Sequence, residues 1–306
     1  MASTCEVQVV AASRAAARLA LGAAIAEVGR IEAKYSRYRH DSVASFINRS
    51  AGGQAVEVDA ETAGLLEFGA SCHARSAGRF DLTSGVLRRV WTFRPGAKPP
   101  SDAEIRKVLD LVGWDKVEWQ RPRLRLPRAG MELDFGGIGK EYAADRAAAV
   151  CIEHGTRGGI VNLGGDVRVI GPQPSGAPWR FGVAHPRESE RVLAGIVLSQ
   201  GAIATSGDGE RYFEFEGTRY CHILDALTGR PVHGGPRSVS VVAPVCIVAG
   251  GLSTLAMLME AQAEPFLEEQ AVPYLVVDAQ GQVVGSLATR DDGPHPPPPP
   301  QAIVLD

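Results

Sequence analysis

Apolar and polar positions recur with two different periods along this chain, helical before about residue 155 and strand-like after it. "CEVQVVAA" reads as an opening strand. Beyond it Leu21, Ile25, Val28 and Tyr35 recur mostly at three- to four-residue steps, the mark of an amphipathic helix packed on a core. "SRYRHDSVASFINRSAGG" reads as a polar loop with a short helical piece. A helix is predicted from about Ala60, with Asp59 as N-cap and Gly78 beyond its end. Another covers "SDAEIRKVLDLVG", where Ser101 and Glu104 have capping-box spacing. The short strands "KVEWQ" and "RLRLP" follow, then "GKEYAADRAAAVCIEHG" as helix and "GGIVNLGGDVRVIG" as strand. "WRFGVAHP", "RVLAGIVLSQGAIATS", "RYFEFEGTRYCHIL" and "RSVSVVAPV" read as a run of strands, with a hairpin turn at Glu216-Gly217. A helix from about Val248 to Ala263 and a last strand in "PYLVVDAQGQVVGS" close the pattern. It predicts an α+β fold of two closely packed lobes, not a regular βαβ alternation. Residues 1–285 form one domain, and 286–306, with the run "DDGPHPPPPPQ", form an extended proline-rich tail.

Composition narrows the classes. The 306 residues are 45% apolar and 22% charged with a net charge of −3, which excludes a nucleic-acid surface or a polybasic membrane patch. Arg14, Arg18, Glu27 and Arg30 interrupt the Ala-rich first helix, so it cannot span a bilayer, and stable membrane insertion is not expected. No secretory signal is visible, so a cytoplasmic chain is the simplest reading. An exported or periplasmic protein with its leader removed would read the same way. Cys5, Cys72, Cys151, Cys221 and Cys246 form no CxxC pair, and reduced thiols are expected. Cys221 precedes His222, but neighbours on a strand point to opposite faces and make a poor nucleophile–base pair.

The 35 glycines change the picture, because many lie in short clusters. "LDFGGIGKEYAADR" sets Gly136, Gly137 and Gly139 ahead of a helix, where backbone amides and the helix dipole suit an anionic phosphate. The alternative is a helix entry that needs positive φ. The spacing is not GxGxxG, so a dinucleotide fold of the doubly wound kind is not supported. "NLGGDVRV" holds a Gly pair inside a strand pattern, implying a bulge or close backbone contact. "IATSGDGERYF" reads as a polar loop whose Thr205, Ser206 and Asp208 can meet a ligand or cap a turn. In "YCHILDALTGRPVHGG", His222 and Asp225 flank Ile223-Leu224 where a strand gives way to a loop. Together these stretches favour a phosphate-bearing ligand.

In the order "YSRYRHDSVASFIN", "GRFDLTSGVL", "LDFGGIGKEYAADR", "VNLGGDVRV", "ATSGDGERYF", "CHILDALTGRPV" and "GGLSTLAML", the chain resembles the ApbE family of flavin transferases from about Ser3 to Val284. The resemblance implies an ApbE-type α+β fold with FAD between the lobes. It also implies magnesium-dependent attachment of FMN, taken from FAD, to a threonine or serine of an acceptor protein, with release of AMP. Tyr38 resembles the aromatic beside the adenine, and Gly78, Arg79, Phe80 and Asp81 the segment at the adenosine part of FAD. Gly136 and Gly137 match the pyrophosphate loop, with the Gly139 carbonyl at a metal-ligand position. His222 and Asp225 match the histidine and aspartate near the diphosphate, and Leu224 a flavin contact. Ser253 and Thr254 match the end of the motif whose threonine helps bind the metal. His222 suits a general base at neutral pH, and Asp225 either orients it or takes the proton itself.

Two departures stand out. "DALTG" has Ala226 where the family has proline, which is expected to loosen a turn. "AGGLST" has Gly250 where the family has the metal-binding aspartate, at the expected start of a helix. Weak magnesium dependence, partial compensation by Asp225 and tighter magnesium binding in Gly250→Asp are the expectations. A flavin-binding relative without transfer activity and an FAD pyrophosphatase are the alternatives.

Overall fold

The strand-like half of the sequence condenses into one antiparallel sheet, which the opening strand also joins. In the computed structural model, residues 4–187 and 191–288 are described. The sheet contains β1 (Cys5–Val10), β2 (Gly158–Leu163), β3 (Asp166–Gly171), β4 (Gly201–Gly207), β5 (Ser238–Ala243), β6 (Tyr274–Val277) and β7 (Val283–Val284), hydrogen-bonded in that order. Every neighbouring pair is antiparallel.

Both faces of the sheet are covered, which explains why its strands read as nearly continuous apolar runs. On one face Val161, Leu163, Ala202, Val239, Val241 and Val276 join the core shared with the helices. The helices are α1 (Arg14–Tyr35), α2 (Val43–Arg49), α3 (Ala60–Arg75), α4 (Asp102–Leu109), α5 (Gly139–Glu153), α6 (Cys246–Leu258) and α7 (Ala263–Glu269). On the other face Ile160, Val169, Ile203 and Leu275 pack under a two-stranded ribbon, Trp179–Ala184 with Val192–Leu198.

Local chemistry sets the helix ends as expected. Asp59 caps α3 by accepting from Thr62 N, and Ser101 and Glu104 form a complete capping box on α4. After α3, Ala77 turns into the left-handed region (φ 50°) and Gly78 N donates to His73 O at 2.9 Å, a Schellman closure.

Several expectations need correction. "GGIVNLGGDVRVIG" is two strands, not one. Gly164 and Gly165 (φ 63° and 93°) form the two-residue turn between the partners Leu163 and Asp166, a conformation that side chains disfavour. Ile203 to Ser206 lie inside β4, so the polar loop starts only at Asp208. Helix α6 begins at Cys246, which places Gly250 in its second turn. Leu82–Arg89 forms a 3-10 helix that periodicity missed. The hairpin at Glu216-Gly217 is as expected, with both residues at positive φ (50° and 76°). The proline-rich tail lies outside the described residues from 289 onward.

Candidate active site

The site grows from the contact between α5 and α6. Asp145 on α5 accepts hydrogen bonds from Cys246 N (2.8 Å) and Ile247 N (2.9 Å), capping α6 from its neighbour. One turn back along α5 is Glu141, and one turn forward along α6 is Gly250. They face each other: a Cβ built on Gly250 would lie 2.4 Å from Glu141 Cγ. Gly250 is therefore glycine because Glu141 fills the space of its side chain.

Glu141 is 8% exposed, and its Oε2 has no hydrogen-bond partner. Burial, then the adjacent Asp166 carboxylate, pushes its pKa well above the usual carboxylate range. Asp166, 2% exposed, receives Lys140 Nζ at 2.6 Å and Thr205 N at 3.1 Å. Burial opposes the Lys140 charge, but Asp166 and Glu141 outweigh it and raise its pKa.

A group of hydroxyls lies on the same seam between β4 and α6. Ser206 Oγ meets Ser253 Oγ at 2.8 Å and Thr254 Oγ1 at 3.0 Å, and Ser253 donates to Gly250 O at 3.0 Å. Ser253 is fully buried and already engaged, whereas Thr254 is half-buried. Gly139 is the first residue of α5, and its amide donates to Phe135 O at 2.7 Å. Among the described residues no three His, Cys, Asp or Glu side chains assemble as a metal cluster. Two buried carboxylates, one oxygen without a partner, and a nearby hydroxyl are nevertheless all hard oxygen donors. They fit magnesium, which takes one or two protein carboxylates and completes its shell with water and phosphate.

The glycine loop continues from this point. Gly136 N donates to Asp134 Oδ1 at 2.9 Å, and a Cβ on Gly137 would meet Phe80 Cε2 at 3.2 Å. None of Gly136, Gly137 and Gly139 has positive φ. They are small to permit close approach, not to permit an unusual backbone. Asp134 also pairs with Arg37, whose guanidinium lies 5.0 Å from the Tyr38 ring and donates to its hydroxyl at 2.8 Å. Tyr38 itself is 82% exposed, a large ring held at the edge of the glycine loop.

Phe80 and Asp81 also carry structural roles, although Asp81 lines the cavity beside Gly78. Phe80 is buried in the main core. The Asp81 carboxylate accepts from Thr83 N, Thr83 Oγ1 and Trp114 N, at 2.6 to 2.7 Å, so it anchors the backbone. Gly78 borders a cavity of about 250 Å³ with His73, Ala226 and Leu227. Leu227, 55% exposed, lies over Gly78 and was not legible from sequence.

His222 follows the ribbon Tyr212–Phe215 and Thr218–Cys221. Its Nδ1 is buried without a partner, and burial, then the Arg211 charge, lowers its pKa. Burial thus favours the neutral imidazole and leaves its Nδ1 unpaired. Asp225 does not orient it. That carboxylate pairs with Arg79 and accepts from Leu227 N at 2.8 Å, so it ties its own turn to the Gly78–Asp81 segment. It is equally unavailable to replace a missing metal ligand. Ala226 N donates to Arg79 O at 2.9 Å, a bond that proline could not make, so the departure at this position tightens the turn instead of loosening it. Leu224 pairs with Pro231 and packs beside Phe213 and Ala226. Burial pushes the Cys221 thiol up to about 11, which removes it as a nucleophile. Beyond Cys221 opens a cavity of about 220 Å³ lined by Arg187, Arg219, His233 and Arg237.

Comparison with known proteins places this geometry in context. The model of the ApbE family matches residues 1–276. A Vibrio cholerae protein named FAD:protein FMN transferase is 31% identical over 247 residues, covering 79% of this chain and 74% of its own. The crystal structure of an ApbE protein from Thermotoga maritima superposes with a TM-score of 0.83 at 33% identity, covering 93% of this chain and 96% of its own. The flavin transferase ApbE from Vibrio cholerae superposes at 0.82 with 25% identity, covering 94% and 95%.

Proposed function

The chain belongs to the ApbE family, and on that premise we propose that it is an FAD:protein FMN transferase. The observation that carries the reading is the family match over residues 1–276, together with curated relatives named for that activity. The finer reading is that a threonine or serine hydroxyl of the acceptor attacks the phosphorus next to riboflavin. A new P–O bond forms to the hydroxyl oxygen, the pyrophosphate P–O bond breaks, and AMP leaves with the bonding pair.

His222 takes the hydroxyl proton. Its lowered pKa supports this role, since a neutral imidazole is the basic form. Asp225 acts indirectly, by holding Arg79 and the turn that follows His222. Tyr38 supports the adenine, and the exposed Gly136-Gly137 stretch lets the pyrophosphate approach the backbone. Thr254, backed by Ser206 and Ser253, and the Gly139 carbonyl would be among the oxygen donors that hold magnesium. When bound, magnesium supplies charge stabilisation to the phosphate oxygens of the transition state.

Incubating the protein with FAD, magnesium and an acceptor peptide, then separating the products, tests the proposal. FMN on the peptide with matching AMP supports it. Free FMN plus AMP identifies a pyrophosphatase, and unchanged FAD a binding protein.

A further inference from the structure

We propose that Glu141 on α5 provides the carboxylate ligand of a divalent-cation site on the α6 side where Gly250 has no side chain. The inference rests on the transferase reading for the phosphates that would complete the site. Its structural basis is local. Glu141 is 8% exposed and its Oε2 has no partner, although buried carboxylate oxygens are ordinarily paired. The Asp166 carboxylate is adjacent and also buried, yet Lys140 is the cation bridged to this pair, at 2.6 Å from Asp166.

Glu141 Cγ, Cδ and Oε1 lie 2.4, 3.1 and 3.2 Å from the Cβ that Gly250 lacks, so the acid occupies the volume of a side chain rooted on α6. Gly250 belongs to the helical turn where its carbonyl accepts from Ser253, and Ser206 links Ser253 to Thr254. The α5–α6 packing is fixed one turn away by Asp145 on the α6 amides, at 2.8 and 2.9 Å. A carboxylate has thus moved from one helix to the facing one, keeping its destination. The same contact overturns the expectation for Gly250→Asp. That aspartate would collide with Glu141, so the single substitution does not tighten metal binding.

The test uses Mn2+ as the probe, titrated against metal-stripped full-length protein with FAD and no acceptor, while the free-ion electron paramagnetic resonance signal is followed. Wild-type protein is expected to hold Mn2+, and Glu141→Gln to weaken it by at least about tenfold, since losing even an outer-shell partner of a metal ligand typically costs ~10–100-fold. The exchange Glu141→Gly with Gly250→Asp returns the carboxylate to α6 and is expected to recover wild-type affinity to within about threefold, a difference of ~0.7 kcal/mol. Should Glu141→Gln fail to fold by circular dichroism, the exchanged pair decides the matter. Wild-type protein that holds no Mn2+, folded Glu141→Gln that holds it as tightly, or a folded exchanged pair that holds none overturns the proposal. Normal Mn2+ binding without FMN transfer would instead overturn the transferase reading alone.

Discussion

At His222, burial and the Arg211 charge act in the same direction, favouring the neutral imidazole, whose Nδ1 is unpaired. His222→Ala is expected to slow FMN transfer by ~10²–10⁴-fold while FAD affinity changes little, as for a lost general base. Single-turnover rates and a flavin fluorescence titration check both halves. The sign of the pH dependence follows from the lowered pKa. The neutral base persists to more acid pH than in an ordinary histidine, so the acid limb of the rate should have its midpoint below ~6.5. A midpoint above that value would remove His222 from the role. At Tyr38 the exposed ring sits beside Arg37 over the glycine loop. Tyr38→Ala should weaken FAD by ~1–3 kcal/mol, the usual worth of an aromatic under a base, and leave FMN affinity unchanged. His222, Tyr38 and Thr254 were singled out in the sequence because they stand in stretches that resemble the ApbE motifs. Glu141 and Asp166 were not, since a glutamate inside a helix pattern and an aspartate opening a strand read as solvated faces. Only the packing of α5 on α6 shows both to be buried.

Individual helices are joined by a few polar ties that sequence periodicity cannot display. Asp145 caps the N-terminus of α6 from a helix about a hundred residues earlier in the chain, accepting from Cys246 N and Ile247 N. Asp145→Ala should cost about 1–2 kcal/mol of stability, as for a lost cap, measurable as a lower urea midpoint. Glu61, at the start of α3, binds Arg30 and Lys34 of α1 and Tyr142 of α5. The Arg30 hydrogen bonds dominate in holding its pKa below the usual carboxylate range. A folded-state pKa below the unfolded one contributes stability that is complete above ~4.3 and is lost as pH falls below it. Glu61→Gln should therefore narrow the stability difference between pH 7 and pH 3. The same step in stability for both proteins would contradict the tie. Most helices were placed by periodicity, and the caps of α3 and α4 by short motifs. The stretch expected as one helix to Ala263 ends at Leu258, and α7 was not predicted. The error at "NLGGDVRV" has a simple cause: an apolar run buried on both faces hides the turn, and a glycine pair at positive φ is also what a bulge requires.

Across the whole molecule, the sheet uses residues from Cys5 to Val284, and α1 packs against α5, so we propose that the described chain folds as one unit. Unfolding followed by circular dichroism and by tryptophan fluorescence should therefore give coincident transitions, whereas separate midpoints would mean two units. The α+β class was legible from the segregation of periods. Coverage of both sheet faces was not, because the ribbon from Trp179 to Leu198 reads as two more strands of one sheet. The proposed transfer of FMN to a protein hydroxyl assigns parts to the glycine loop, to the hydroxyl seam of β4 and α6, and to Arg79 with its partner Asp225. Intact-mass analysis of acceptor peptides incubated with the protein, FAD and magnesium tests that claim most directly. A gain of one FMN per peptide, absent when the acceptor threonine or serine is replaced by alanine, is the predicted result. Consumption of FAD to free FMN and AMP with every peptide unmodified would contradict it.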